Sequence, residues 1–186
     1  GVFAAENIKS LADAQLVLSR YSKYYQTNTI KQYMTGDRRV RQFVVMAARE
    51  QHLMPTLEGG LDFKKNLTEA MDGYSGSEHT LPIAPLYKDV IELYATAGIT
   101  WTPTLIVEYG GPWAENYWYE HSDVLNDKKL NHFTPRDVVE TKASRRPGWW
   151  APTQWSFPLF AAQAAKVVAA GGRVGGWFYV AEYRPT

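Results

Sequence analysis

Residues 76–107, GSEHTLPIAPLYKDVIELYATAGITWTPTLIV, decide the fold class of this chain. Residues 76–81 are strand-like, residues 86–97 have the apolar spacing of a helix that ends at Gly98, and residues 99–107 are rich in β-forming residues. A helix between two strands is the connection that a parallel sheet requires. This segment therefore predicts a βαβ unit and an α/β protein.

The same alternation extends along most of the chain. Its apolar spacing predicts helices at 10–24, 38–51, 66–71, 86–97, 136–143 and 160–170, and strands at 29–33, 53–57, 76–81, 99–107 and from 174 into 177–180. Successive strands up to Ile99 are spaced by roughly 22–25 residues, about the unit size of a (β/α)8 barrel. A complete barrel needs about 250 residues, whereas the chain has 186. We therefore expect a partial (β/α)8 (TIM-type) barrel of about five parallel strands alternating with helices, forming one domain over residues 1–186.

The composition restricts the possible partners. The chain has 20 basic and 19 acidic residues, so its net charge of +1 provides no electrostatic attraction for nucleic acid or for an anionic membrane surface. Without cysteine it has neither disulfides nor thiolate metal sites. No apolar run approaches the ~20 residues of a membrane-spanning helix, which predicts a soluble protein. A small-molecule substrate is therefore the expected partner.

Residues 108–157 are the exception to the alternation. They contain five of the seven tryptophans, and only residues 136–143 have helical spacing. Long loops inside compact domains are usually functional or disordered, and this segment is too aromatic for disorder. It is compatible with a lid packed on the barrel mouth and with a wall that binds substrate. The substrate-binding candidates are Tyr109, Trp113, Trp118 and His121.

Polar residues mark the ends of four predicted strands. They are Lys31, Glu58, His79 and Glu108. Active groups of parallel α/β domains lie at the carboxyl ends of the strands, so these residues form the candidate site. One such residue can equally cap the next helix, but four in succession favour a site. Glu58, Glu108 and His79 are the catalytic candidates, and Lys31, Glu58 and His79 are the metal-binding candidates.

The residue types indicate what this site could do. His79 is a common metal ligand, and Glu58 is suited to bind a cation or to act as a general base. A lysine inside a strand, such as Lys31, needs a partner or a lowered pKa, and carboxylation would convert it into a carbamate that bridges two metal ions. Strand alternation directs Glu78, next to His79, towards the other face of the sheet. His52 precedes a strand at the opposite end and is interpreted as structural.

Three of these segments resemble a known family. TIKQY at 29–33, the strand that ends in Glu58, and SEHT at 77–80 look like the fourth, fifth and sixth barrel strands of the metal-dependent amidohydrolase superfamily. One branch is more similar, in which the barrel follows a TolB-like β-propeller in a large, usually exported protein. The runs that resemble it are EGGLDFKKNLTEAMDGYSGSEHTLPIAP at 58–85, TPTLIVEYGGPWAENYWYEH at 102–121 and FTPRDV at 133–138. The resemblance covers roughly residues 8–174.

The resemblance implies a metallohydrolase that activates water for attack on an amide, ester or related bond, with zinc as the expected divalent metal. By position, Lys31 matches the lysine that is carboxylated in binuclear members. His79 matches the histidine ligand of the sixth strand. Glu58 stands where most members have the fifth-strand histidine.

The chain also departs from the family pattern. The HxH pair of the first strand is absent, and the sequence after Gly175, GWFYVAEYRPT, has no match in the family. We therefore expect the second half of a barrel with an unrelated tail, as if from a truncated gene. A half-barrel exposes strand edges and apolar helix faces, and this predicts a homo-oligomer that covers them.

Two other functions fit the sequence. A metal-independent glycoside hydrolase would use strand-end carboxylates, Glu58 and Glu108 with Glu115 or Glu120, while the tryptophans stack on sugar rings. A non-catalytic barrel fragment would turn over no substrate. Neither a glycine-rich phosphate loop nor a G-x-S-x-G nucleophile motif is present.

Overall fold

The computed structural model describes residues 8–33, 36–105, 115–144 and 149–175, and these contain one five-stranded, all-parallel sheet. Its strands are β1 (Thr29–Gln32), β2 (Met54–Glu58), β3 (Gly76–Glu78), β4 (Thr100–Thr102) and β5 (Arg173–Val174). Each strand pairs with the next one along the chain, so the order is β1-β2-β3-β4-β5. The prediction of an α/β fold with about five parallel strands is confirmed. Parallel strands that each pair with the next strand along the chain have the arrangement of a partial (β/α)8 barrel.

Eight helices accompany the strands in the described part of the chain. They are α1 (Leu11–Tyr24), α2 (Arg38–Glu50), α3 (Phe63–Asp72), α4 (Lys88–Thr96), α5 (Glu115–His121), α6 (Lys128–Phe133), α7 (Arg136–Ser144) and α8 (Phe157–Ala169). Among the described residues, no helix has both the length and the apolar character needed to cross a membrane.

Successive side chains along each strand point alternately to a core face and to a polar face of the sheet. Leu57, Ser77 and Trp101 are register partners on adjacent strands, and all three are almost completely buried. Leu57 and Trp101 pack with Tyr94 of α4 and Val167 of α8 in the larger core cluster. A second cluster joins α1 to α2. The core therefore lies between the sheet and its helices, and the other face of the strands is left to polar residues.

Helix α3 begins earlier than the sequence predicts. The expected cap was Asn66, but the Asp62 carboxylate caps the helix by accepting a hydrogen bond from the Lys65 N–H at 3.0 Å. The helix ends at Gly73, whose φ of +88° is a conformation that glycine adopts readily. Asn66 lies one turn inside the helix and is 1% exposed. The side-chain amide of Asn66 instead forms hydrogen bonds with the loop that follows β2, next to the carboxyl end of that strand.

Two strands are shorter than predicted. The predicted strand at 76–81 ends at Glu78, because His79 adopts a φ of +72° and breaks the extended backbone. The predicted strand at 99–107 is regular only over Thr100–Thr102, before Pro103, and its residues 106 and 107 lie outside the described ranges. The predicted continuation at 177–180 lies outside them as well. Strand β3 therefore ends directly before His79, and β4 ends directly before Pro103.

The described residues of 108–157 contain more helix than the sequence predicts. They form α5, α6 and α7 and two short 3-10 turns, whereas only one helix was predicted there. Helices α5 and α6 have 7 and 6 residues, too few for an apolar period to repeat. A side-chain cap marks the start of α6, where the Asp127 carboxylate accepts a hydrogen bond from the Leu130 N–H.

Candidate functional site

The carboxyl ends of β1, β2 and β3 bring four polar side chains into contact. Lys31 Nζ lies 2.6 Å from Oε2 of Glu58 and 2.6 Å from Oε2 of Glu78. His79 Nε2 lies 2.5 Å from Oε1 of Glu58. The structure thus joins Lys31, Glu58 and His79, as the sequence predicts, and adds Glu78 to them.

The predicted orientation of Glu78 is wrong. Glu78 lies opposite Glu58 in the strand register, and its Oε1 accepts a hydrogen bond from the Thr56 hydroxyl at 3.0 Å. Ser77 is the residue that faces the helices. The prediction counted His79 as a strand residue facing the site, so alternation assigned the opposite face to Glu78. Because the strand ends before His79, the two neighbours reach the same cluster.

The turn at His79 is held from the next strand. Its N–H donates to the Thr102 carbonyl at 2.7 Å, and its own carbonyl accepts from the Trp101 indole N–H at 2.8 Å. A left-handed conformation costs a non-glycine residue roughly 1–2 kcal/mol, which these bonds offset. They fix the direction in which the imidazole leaves the backbone, towards Glu58.

Two glycines allow the strand ends to approach closely. The Gly59 N–H donates to the Glu78 carbonyl at 2.9 Å, and a Cβ at Gly59 would lie 2.2 Å from that oxygen. A Cβ at Gly76 would lie 2.8 Å from Cγ2 of Thr56. The backbone that carries Glu58 is therefore tied directly to the backbone that carries Glu78.

The charged side chains of the cluster change one another's pKa values. Burial favours the neutral amine of Lys31, but its hydrogen bonds to Glu58 and Glu78 outweigh this effect and raise the lysine pKa. Burial would likewise raise the pKa of Glu58, yet the Lys31 hydrogen bond and the nearby His79 lower it overall. The two carboxylates and the ammonium together carry a net negative charge. Such a cluster attracts a further cation.

Glu58, Glu78 and His79 could together hold a metal ion. Each offers one ligand atom, and the three atoms lie within 4.8 Å of one another. Nε2 is the ring nitrogen of His79 that faces Glu58, so a metal ion held by both residues would replace their direct contact. A set of carboxylate oxygens and one imidazole nitrogen suits zinc, manganese or iron better than calcium. The residues present therefore fit a divalent transition metal.

The structure describes only some of the other predicted site residues. Glu108, Tyr109 and Trp113 lie outside the described residues. Glu115 begins α5, and Glu120 lies within it. These positions leave the carboxylate pair of the glycosidase alternative without a described geometry.

Trp118 and His121 of α5 belong to an aromatic group of their own. The Tyr117 ring stacks on His121 at 4.1 Å between centroids and meets Trp155 edge-on at 5.4 Å. Trp118 is 60% exposed and lines a cavity of about 630 Å³ with Phe133. Residues of the strand-end cluster do not line this cavity. The described candidates of the predicted aromatic wall, Trp118 and His121, thus make their contacts with other aromatic residues of this segment.

Glu78 is the residue that sequence reasoning missed. The segment SEHT places a carboxylate beside the histidine, and a strand ending between them was the available signal. Recognising that end would have required the left-handed turn at His79, a conformation that histidine adopts too rarely for its presence in a sequence to indicate one.

Comparisons with known proteins add information about the fold. No family model and no curated protein matches this chain. A crystal structure of a protein described as uncharacterized is similar, with a TM-score of 0.51 and 12% sequence identity over 91% of this chain. The matched region is 38% of that protein's chain. The chain therefore has a parallel α/β fold that resembles part of a larger structure.

Proposed function

We propose that this chain carries a hydrolase site in which Glu58, Glu78 and His79 hold a divalent metal ion, with zinc as the first candidate. The observation that supports the proposal is the convergence of two carboxylates and an imidazole within 4.8 Å at the strand ends. The resemblance of the strand segments to metal-dependent amidohydrolases suggests an amide, an ester or a related bond as the substrate. The bound metal would supply Lewis-acid activation of a water molecule.

The chain's own residues provide the setting for this chemistry. Glu58 has a lowered pKa, so it is ionised at neutral pH and can act as a ligand or accept a proton. The contact between Glu58 and His79 Nε2 orients the imidazole towards the carboxylates. Lys31 neutralises part of the carboxylate charge and holds both carboxylates at the rim. The side chains of Glu58, Glu78 and His79 are only 10–18% exposed, and this partial desolvation strengthens their interactions with a polar substrate.

Carboxylation of Lys31 is the part of the family resemblance that the contacts do not favour. A carbamate forms on a neutral amine, whereas two carboxylates at 2.6 Å favour the ammonium. The mononuclear ligand set does not require a carbamate. Intact-protein mass spectrometry with added bicarbonate and metal would detect the 44 Da of a retained carboxyl group if the modification forms.

The experiment that tests the proposal combines metal analysis with turnover. Purified protein is dialysed against zinc, analysed for bound metal, and assayed on ester and amide panels before and after chelation. We expect near-stoichiometric zinc, chelator-sensitive turnover, and loss of both in Glu58→Gln and His79→Ala. His52→Ala is the matched control, because His52 is exposed and lies before β2 at the opposite strand ends. Absence of bound metal in the unmodified protein would contradict the proposal.

Metal-independent glycoside hydrolysis stays a prediction, as does a non-catalytic fragment. The same assay separates them. Chelator-resistant turnover of glycosides that is lost in Glu58→Gln would favour the carboxylate mechanism. No turnover on any panel, with no metal bound, would favour the non-catalytic fragment.

A further inference from the structure

Helix α3 carries a buried ion pair beneath the site. Lys65 Nζ lies 3.1 Å from Glu69 Oε1, with side-chain exposures of 13% for Lys65 and 0% for Glu69. Desolvating two charges is costly, and an apolar pair of similar size would fill the same space as well or better. A charged pair at such a place calls for a role beyond packing.

This ion pair contacts the backs of both ligand-bearing strands. Lys65 Nζ donates a hydrogen bond to the main-chain carbonyl of Glu58 at 2.6 Å. Glu69 Oε2 accepts one from the hydroxyl of Ser77 at 2.6 Å, and Ser77 immediately precedes Glu78. One ion pair therefore connects the last residue of β2 to the penultimate residue of β3.

Asn66, on the same helix, extends these contacts to the loop after β2. Its side-chain oxygen accepts from the Gly60 N–H at 3.1 Å, and its side-chain nitrogen donates to the Gly60 carbonyl at 2.8 Å. The Tyr94 hydroxyl donates to the Asn66 carbonyl at 3.3 Å, which links α4 to α3. The backbone is thus held two residues after Glu58 as well as at Glu58 itself.

We propose that Lys65 and Glu69 are positioning residues of the metal centre. They set the distance between Glu58 and Glu78 by holding the two strand ends from the opposite face of the sheet. A metal site requires its ligands within a few tenths of an ångström of their bonding positions, and residues behind the ligands commonly change metal affinity by about 10–100-fold. This inference rests on the proposed metal function.

The main test measures zinc affinity by isothermal titration calorimetry on the full chain. We expect Lys65→Met to weaken binding by about 10–100-fold, at a temperature where circular dichroism shows the variant to be folded. Lys65→Arg keeps a charged donor and should recover part of the affinity. Lys88→Met is the matched control, since Lys88 forms an exposed i,i+4 pair with Glu92 on the next helix. Equal affinity in Lys65→Met and the unmodified protein would overturn the inference.

Ser77→Ala serves if Lys65→Met does not fold. It removes one hydroxyl that bonds to Glu69 and leaves the ion pair itself in place. A purely structural role would lower its free energy of unfolding without changing its zinc affinity, and that result would overturn the inference. Weakened zinc affinity in a folded Ser77→Ala variant would support it.

A second measurement needs no metal. The chain has four histidines, so the ring signals can be assigned by NMR with single substitutions. Because the His79 ring contacts Glu58, its signals should shift in Lys65→Met, whereas those of His52 should not. If the unmodified protein binds no zinc, the proposed function fails, and these spectra still decide the positioning role. An unmoved His79 signal would refute it.

Discussion

At the scale of single residues, Lys31 balances the charge of the candidate site. Its Nζ contacts two carboxylates and lies 5.0 Å from the centroid of the Tyr33 ring. Without a cation between them, Glu58 and Glu78 would repel each other in a half-buried environment. Lys31 therefore allows two carboxylates to stand side by side in the metal-free protein.

We predict that Lys31→Met lowers the free energy of unfolding by about 1–3 kcal/mol at pH 7, and that the loss depends on pH. The pKa of Glu58 lies below its ordinary value of 4.5 in the folded state. The ionised Glu58 carboxylate therefore makes its full contribution to the free energy of unfolding above pH 4.5, and this contribution disappears as the pH falls through the folded pKa. The difference between the variant and the unmodified protein should shrink towards pH 3.

Urea unfolding between pH 3 and pH 7 measures this difference. Lys88→Met is the control, because Lys88 is an exposed partner of Glu92 and should change the free energy of unfolding little at any pH. A loss in Lys31→Met that is the same at pH 3 and pH 7 would show that it comes from packing alone.

At the scale of elements, the site depends on how closely β2 and β3 approach. The Gly59 N–H bonds to the Glu78 carbonyl, and Gly76 leaves room for the Thr56 side chain. Thr56 in turn donates to Glu78. The two strands are thus connected by backbone and side-chain hydrogen bonds from residues within two positions of Glu58.

Gly59→Ala should destabilise the protein by about 3 kcal/mol or more, the upper end of overpacking costs. Its Cβ would lie 2.2 Å from a main-chain oxygen, so side-chain rotation cannot relieve the clash. Gly171→Ala is the comparison, since a Cβ there would meet no described atom within 4 Å. Its only cost would come from the φ of +87°, which an alanine adopts unfavourably. That cost is about 1 kcal/mol. Urea unfolding with equal losses in both variants would contradict this steric explanation.

At the scale of the whole molecule, the sheet has two edges. In the described structure, β1 pairs on one side with β2, and β5 pairs on one side with β4. The similar solved chain is larger, and the matched region is only part of it. Unpaired strand edges promote association with other chains.

We predict that the isolated chain forms a homo-oligomer through these edges and the adjacent apolar surfaces. Light scattering after size exclusion should give a mass of at least twice 21.1 kDa. Association by strand pairing and apolar burial should persist when salt is raised from 0.1 to 1 M, whereas charge-driven association would weaken. A monodisperse monomer across micromolar concentrations would refute the prediction.

The sequence by itself determined the alternation of strands and helices and the strand-end positions of Lys31, Glu58 and His79. These features follow from short-range periodicity and from the rule that active groups lie at the carboxyl ends of parallel strands. The short helices α5 and α6 escaped this reasoning, because they are too brief for a period to repeat.

Only the tertiary structure decided that Glu78 joins the site and that Lys65 lies behind it. The direction of Glu78 depends on where β3 ends, and that end is set by bonds from His79 to Thr102 and Trp101 of another strand. Lys65 acquires its role because α3 packs across the backs of β2 and β3. These contacts join residues that are distant along the chain, so no local pattern in the sequence encodes them.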